Sequence, residues 1–407
     1  MKKIKAIIIA LMISQASIAQ WSKIECNTED WLSSVFFTSP DTGYISNLYK
    51  NEIYKTVNGG LDWTVKHAGS AGIKSIRFLN QDIGFAVGNG GSILKTTDGG
   101  ENWHQKISGT VQPLTSVFFI STDIGFVVGG SNYPESRVIL KTIDGGEAWT
   151  ILTENNEPRL MSCYFVDKNT GYAVGDNEAI LKTTDGGKNW SNQKVPGDIT
   201  QGGYRAVHFT SKDTGFVSGE WGYVFKTTNG GQTWRQINSK TWVYLDDIYF
   251  VDAHIGFAVG GWTGSNPTII NTLDGGENWS LMECPVLETQ LYAVHFPSTN
   301  RGYITGLNGT VLRIDSNFVA VPIPDSVSVK KEYKLYPTAV KEILTIESPY
   351  QEGETTISII TINGEVFLNS KFTGAKTEIN LSSLNKGLYF IKLSSGGEIS
   401  FNKIYKE

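Results

Sequence analysis

Short apolar runs recur along the chain, separated by polar breaks rich in Gly, Asp and Asn: LTSVFFI at 114, LMSCYFV at 160, YRAVHFT at 204, LDDIYFV at 245 and LYAVHFP at 291. They are too short for helices and rich in β-branched and aromatic residues, which is strand chemistry. A second apolar run follows each, opening on Gly43, Gly84, Gly125, Gly171, Gly215, Gly256 and Gly302. A third, such as VILKT at 138, runs into an Asp-Gly-Gly turn and a tryptophan. The phrase KTTDGGENW at 95 has copies starting at 55, 141, 182, 226 and 271, at intervals of 40 to 46 residues. One unit therefore reads as strands A, B, C and D, with D starting at the tryptophan.

Four antiparallel strands in a repeat of that length make a propeller blade, where radial repetition leaves only short, protected edges. Seven glycine-led runs predict an all-β, seven-bladed β-propeller over residues 20–316. The last unit fades after Asp315 without its fourth strand, while WSKIE at 21 stands alone ahead of the first A strand at Leu32. Pairing the two orphans closes the ring and removes two open sheet edges.

The repeated turn has a local rationale. In Thr96-x-Asp98-Gly99-Gly100-x-x-Trp103 the glycines supply positive φ, the Asp accepts hydrogen bonds from turn amides, and the indole covers the strand pair. This resembles the Asp-box, or bacterial neuraminidase repeat. The resemblance rests on Thr96, Asp98, Gly100 and Trp103 and on their counterparts Thr142, Asp144, Gly146 and Trp149, Thr183, Asp185, Gly187 and Trp190, and Thr272, Asp274, Gly276 and Trp279. Asn58 and Asn229 replace the acid in two copies, keeping the acceptor without the charge. It implies that the boxes are structural and lie opposite any ligand face. Among Asp-box proteins, the spacing is most similar to propellers of the photosystem II assembly and stability factor kind. That specifies a fold and leaves the ligand open.

The two ends differ from the array. MKKIKAIIIALMISQASIA, with Lys2, Lys3 and Lys5 before an apolar stretch, predicts a secretory signal at residues 1–19. Residues 317–332, with Pro322 and Pro324, predict a linker, and 333–407 a small Ig-like β-sandwich with a hairpin turn at Asn363-Gly364. The order KLYPTAVKEILTI, INGEVF and INLSSLNKGLYFIKL is similar to the type A C-terminal sorting domain of the type IX secretion system, although Tyr336-Pro337-Thr338-Ala339 departs from the usual Tyr-Pro-Asn-Pro. The resemblance implies partnership with that secretion machinery, removal of the tail on export, and a product secreted from, or held on the outer surface of, a Gram-negative bacterium.

Composition narrows the partners. The formal charge of −5 becomes −8 without the three signal lysines, which argues against nucleic acid and anionic membranes. No apolar span after the signal is long enough to cross a bilayer, and a monomer is expected. His67, His104, His208, His254 and His295 show no metal-ligand spacing, and nucleophile motifs and phosphate loops are absent, so neither metal nor cofactor is expected. Cys163 falls in an A strand as a buried thiol, and Cys26 and Cys284 occupy equivalent D-strand sites in neighbouring blades, too far apart to bridge.

Departures from the template mark the candidate site. Trp221 and Trp262 fall in the B-to-C loops of blades five and six, and Trp242 in the connection between these blades, all on the face opposite the boxes. With Tyr223, Tyr244, Glu220 and Arg205 they predict an aromatic patch suited to a glycan or a surface protein. Lys74, Asp246, Asp247 and Tyr292 are placed at the channel mouth, and Arg137 and Arg159 could join Arg205 in an anion site. The function expected is non-catalytic binding. The alternative is an extracellular glycoside hydrolase using Glu220 with Asp246 or Asp247.

Overall fold

A computed structural model describes residues 20–69, 71–177, 179–195, 202–262, 266–315, 333–348, 353–361, 366–395 and 398–407. The predicted signal, linker and Asn363-Gly364 turn lie outside these residues. Seven four-stranded antiparallel sheets form the array, each ordered A-B-C-D from the inside out, and the only helical elements among the described residues are two 3₁₀ turns. In blade one, for example, the strands are Leu32–Phe37, Gly43–Asn47, Glu52–Thr56 and Thr64–Ala68. The seventh blade is completed by the N-terminus. Ser22–Ile24 pairs antiparallel with Val311–Asp315, in the register Ser22↔Arg313, Lys23↔Leu312 and Ile24↔Val311.

One aromatic scheme, repeated around the ring, explains the recurring glycines. The sixth residue of each A strand is a phenylalanine, and in the first six blades it pairs with the glycine that opens strand B, as Phe165 does with Gly171. The ring lies flat on that glycine: a Cβ on Gly171 would come 2.3 Å from Phe165, and one on Gly43 2.4 Å from Phe37. The same phenylalanine stacks on the strand-B aromatic of the preceding blade, Phe165 on Phe126 at 3.9 Å and Phe209 on Tyr172 at 4.0 Å. It also meets the tryptophan of its own D strand edge-on, as Phe78 meets Trp103 at 5.8 Å and 85°. Trp21 makes this contact with Phe296 at 6.0 Å, so the N-terminal segment performs the D-strand role inside blade seven as well as the pairing.

Serine or aspartate at the third position of strand A ties neighbouring blades together. The Ile76 N–H donates to Ser34 Oγ at 3.1 Å, Cys163 N–H to Ser116 Oγ at 3.4 Å and Val294 N–H to Asp247 Oδ2 at 2.9 Å. All three cysteines are free thiols, and burial pushes those of Cys26 and Cys163 up to about 12.

The tail has its own core. A three-stranded sheet (Lys334–Tyr336, Ile343–Glu347, Lys376–Asn380) faces a five-stranded one (Ala339–Val340, Glu398–Lys406, Gly387–Ser395, Glu354–Thr361, Val366–Thr373). Val340, Leu344, Ile346, Ile357, Ile359, Ile391 and Leu393 are buried in one cluster.

Candidate functional site

The boxes form one closed hydrogen-bond motif. Thr96 Oγ1 donates to Asp98 Oδ1 (2.8 Å) and accepts from Gly100 N–H (2.9 Å), while Asn102 N–H donates to Asp98 Oδ1 (3.0 Å). Gly99 and Gly100 hold φ of 67° and 75°, the left-handed values for which glycine is required. The amide bonds, with that from Asn102 foremost, hold Asp98 down to about 2, and Asp185 likewise through Asn189. Asp144 and Asp274 repeat the arrangement. The boxes lie against the A-to-B loops, since Gly99 N–H donates to Asp82 O at 2.9 Å and Gly59 N–H to Asp41 O at 2.9 Å. The lysine that opens each phrase carries a role that the sequence reading missed. Lys95, Lys141, Lys182 and Lys226 reach the next blade's turn, donating to the carbonyls of Gly145, Gly186, Gly230 and Gly275 at 2.6–2.8 Å.

On the other face the B-to-C loops meet the D-to-A connections, as where Glu220 N–H donates to Gly203 O at 3.0 Å. Here the predicted tryptophans come together. Trp262 lies 5.2 Å from Trp242, 6.2 Å from Trp221 and 5.6 Å from Tyr244, all edge-to-face, and Trp221 lies 5.8 Å from Tyr244. Arg205 sits with its guanidinium carbon 5.8 Å from the Tyr244 ring centre and pairs with Glu220 at 2.5 Å. Edge-to-face packing of four rings makes one aromatic patch whose faces point in different directions rather than a stack.

Trp221 occupies a conformation that marks it out. It is the centre of the 3₁₀ turn Glu220–Gly222 and has φ of 59°, ψ of 27°. The equivalent turn in blade two, Asn89–Gly91, has Gly90 at φ 63°, and blades four and seven place Asn177 (φ 53°) and Asn308 (φ 55°) there. Glycine and asparagine tolerate the left-handed region; a tryptophan in it carries strain of about 1–3 kcal/mol, a feature that collects at functional sites. The signal was present in the sequence, in GEWG set against GNGG, GDNE and GLNG.

Other predicted members are placed differently. Tyr223 is 5% exposed and packs inward with Tyr204 and Phe225, because it stands between the turn and strand C (Val224–Thr227); it lines no surface. The three arginines do not converge on a shared anion site. Arg137 Nε donates to Pro158 O at 3.0 Å, Arg159 pairs with Asp176 at 2.6 Å and Arg205 with Glu220 at 2.5 Å, so each arginine is held by a different local partner. At the channel mouth, Asp246 is raised to about 6, by burial and against the pull of Arg205, and accepts from Gln290 Nε2 at 2.9 Å. Asp247 is raised to about 7, again by burial, with its oxygens committed to the N–H groups of Ile248 and Val294 at 2.9 Å. It pins strands together.

One contributor came from outside the array. Phe390 of the tail lies 6.1 Å from both Trp221 and Trp242. Tyr389 and Ile391 on either side of it belong to the sandwich core, so Phe390 projects from the outer face of its sheet; it is nevertheless 5% exposed. The tryptophan patch is what it rests against.

Comparisons with known proteins agree with this architecture. The family described as photosynthesis system II assembly factor YCF48 matches at residues 13–112, 66–157 and 147–243, and the secretion system C-terminal sorting domain at residues 334–407. No curated protein matches the chain. Among solved structures, YCF48 from Cyanidioschyzon merolae is 20% identical, with a TM-score of 0.58 over 73% of this chain and 99% of its own. A structure of YCF48 bound to D1 peptide is 18% identical, with a TM-score of 0.60 over 74% of this chain and 98% of its own. PorZ, a surface component of the type IX secretion system of Porphyromonas gingivalis, is 13% identical, with a TM-score of 0.52 over 94% of this chain and 60% of its own. These likenesses establish the propeller fold, and the tail marks the chain for export through the type IX machinery. No described helix is long and apolar enough to cross a membrane. The chain belongs to the family of photosynthesis system II assembly factor YCF48 propellers and carries a secretion system C-terminal sorting domain behind the array.

Proposed function

We propose that the propeller is a non-catalytic binding module of the bacterial surface, and that a glycan docks on the patch formed by Trp221, Trp242, Trp262 and Tyr244. The observation that carries this reading is Trp221. A strained backbone is retained to aim a large ring at a patch where three other rings and the Arg205–Glu220 pair already meet. Flat rings beside polar groups suit the apolar faces and hydroxyl rims of sugars. Hydrolysis is the weaker reading, because of its candidate carboxylates Glu220 is tied to Arg205 and Asp247 to two backbone amides.

A protein segment bearing an aromatic side chain is the second reading, favoured by the ring of Phe390 on the same tryptophans and by the peptide bound to one of the similar structures. Either ligand competes with the tail, so loss of the tail on export bares the patch. The test is a broad glycan array probed with the whole chain and with the chain cut in the 317–332 segment, each beside a Trp221→Ala, Trp242→Ala, Trp262→Ala variant. The expected result is binding that strengthens on cutting and disappears in a folded variant. Binding that survives the triple substitution refutes the site, and a cut wild type that binds no glycan refutes the sugar in favour of a protein ligand.

A further inference from the structure

The fifth residues of the seven A strands meet around the propeller axis: Phe36, Arg77, Phe118, Tyr164, His208, Tyr249 and His295. Ring centres follow one another at 4.8 Å (Phe118–Tyr164), 5.1 Å (Tyr164–His208), 5.2 Å (His208–Tyr249), 5.2 Å (Tyr249–His295) and 4.4 Å (His295–Phe36). The Arg77 guanidinium closes the circle, 4.2 Å over the Phe118 ring. Among the described residues it makes no hydrogen bond and no ion pair, and the groups coupled to its charge include Tyr164, Tyr249, Cys163, His208 and His295. The A-strand carboxylates Asp247 and Asp246 are engaged elsewhere, Asp247 with two backbone amides and Asp246 with Gln290.

Three neutral donors share this ring. His295 Nδ1 accepts from Phe37 N–H at 3.2 Å, which leaves the proton on Nε2. Tyr164 Oη and His208 have no hydrogen-bond partner among the described residues, whereas Tyr249 Oη is committed to Phe296 O at 3.2 Å. Burial, with the charge of Arg77 behind it, holds both histidines down to about 3, so they are uncharged donors at neutral pH. Arg77 is half-buried; a cation drawn partly out of water is ordinarily paired, and a cation–π contact offsets only part of that desolvation.

We propose that the ring holds a small monovalent anion of the halide class beside Arg77. One guanidinium balances one negative charge. Walls of aromatic carbon favour a weakly hydrated ion over phosphate or sulfate, whose desolvation cost rises steeply with charge. Lys74, at the head of the same strand and without an ion pair among the described residues, adds positive potential at the mouth.

Sodium bromide is the probe. Crystals of the whole chain grown in bromide should show an anomalous peak within hydrogen-bonding reach of Arg77. In solution, the melting temperature should stand about 2–4 °C higher in sodium bromide than in sodium gluconate of equal ionic strength, gluconate being too bulky to enter. Arg77→Gln should lose the peak and the difference, and Arg77→Lys should keep part of both. Absence of the peak in the wild type, or a bromide effect that persists in Arg77→Gln, overturns the site; the diffraction arm stands even if the variants fold poorly.

Discussion

Replacing Trp21 by alanine tests whether the chain's beginning is a working part of the last blade. The indole is 1% exposed and meets Phe257 at 6.1 Å and Phe296 at 6.0 Å, both edge-on. A buried tryptophan withdraws about 150–250 Å² from water, about 4–6 kcal/mol at 25 cal/mol per Å². Measured truncations of such residues cost about 3–5 kcal/mol. The strand that Trp21 anchors has three paired residues and one side-chain bond, Ser22 Oγ donating to Arg313 O at 3.1 Å, and beside Trp21 only Ile24 and Cys26 of this segment pack into the core. Urea unfolding is expected to show a loss of about 3–5 kcal/mol for Trp21→Ala, similar to that for Trp279→Ala, its counterpart in blade six, which is 1% exposed and 5.9 Å from Phe250. Light scattering should rise only for Trp21→Ala, because detachment bares the edge of Val311–Asp315. A change below about 1 kcal/mol, with Trp279→Ala costing several, refutes closure by the N-terminus, as does an unchanged midpoint on deleting residues 20–27.

Three further outcomes follow from the same geometry. Gly171→Ala should lower stability by about 1–3 kcal/mol in thermal melts, since the added Cβ falls 2.3 Å from Phe165, which Phe126 and Trp190 hold from two sides; an unchanged melt refutes the packing argument. The carboxylates of Asp98 and Asp185 sit at about 2 in the fold against an ordinary 3.8, so the folded state binds fewer protons and their stabilisation, complete above about pH 4, is lost as pH falls toward 2. Asp98→Asn with Asp185→Asn should flatten that acid limb while the turns persist, as Asn58 and Asn229 already show, and a limb that stays equally steep in acid titration by circular dichroism counts against it. At Trp221, glycine should leave the protein about 1 kcal/mol more stable than alanine, because both remove the ring and only glycine relieves φ of 59°; equal stabilities in urea refute the strain.

The array was legible in the chain alone: its period, its seven units, the Asp-Gly-Gly turns and the N-terminal completion of the last blade all follow from local patterns repeated often enough to be read without partners. The sequence also put Trp221, Trp242 and Trp262 on one face, because in a propeller a loop's class fixes its side. Position within a repeat does not say whether a ring turns in or out, and so Tyr223, one residue beyond the strained turn, was misplaced. Nor does it say which arginine finds which carboxylate, as Arg137 finds Glu157, Arg159 finds Asp176 and Arg205 finds Glu220. The tertiary structure alone brought residues far apart in the chain together: Phe390 onto the tryptophans, Lys95, Lys141, Lys182 and Lys226 onto the next blade's turn, and seven unlike side chains around one axis, where Arg77 has no hydrogen-bond or ion-pair partner among the described residues. Local pattern encodes what a segment becomes, whereas contacts of long sequence separation depend on how the blades close and are written in no single repeat.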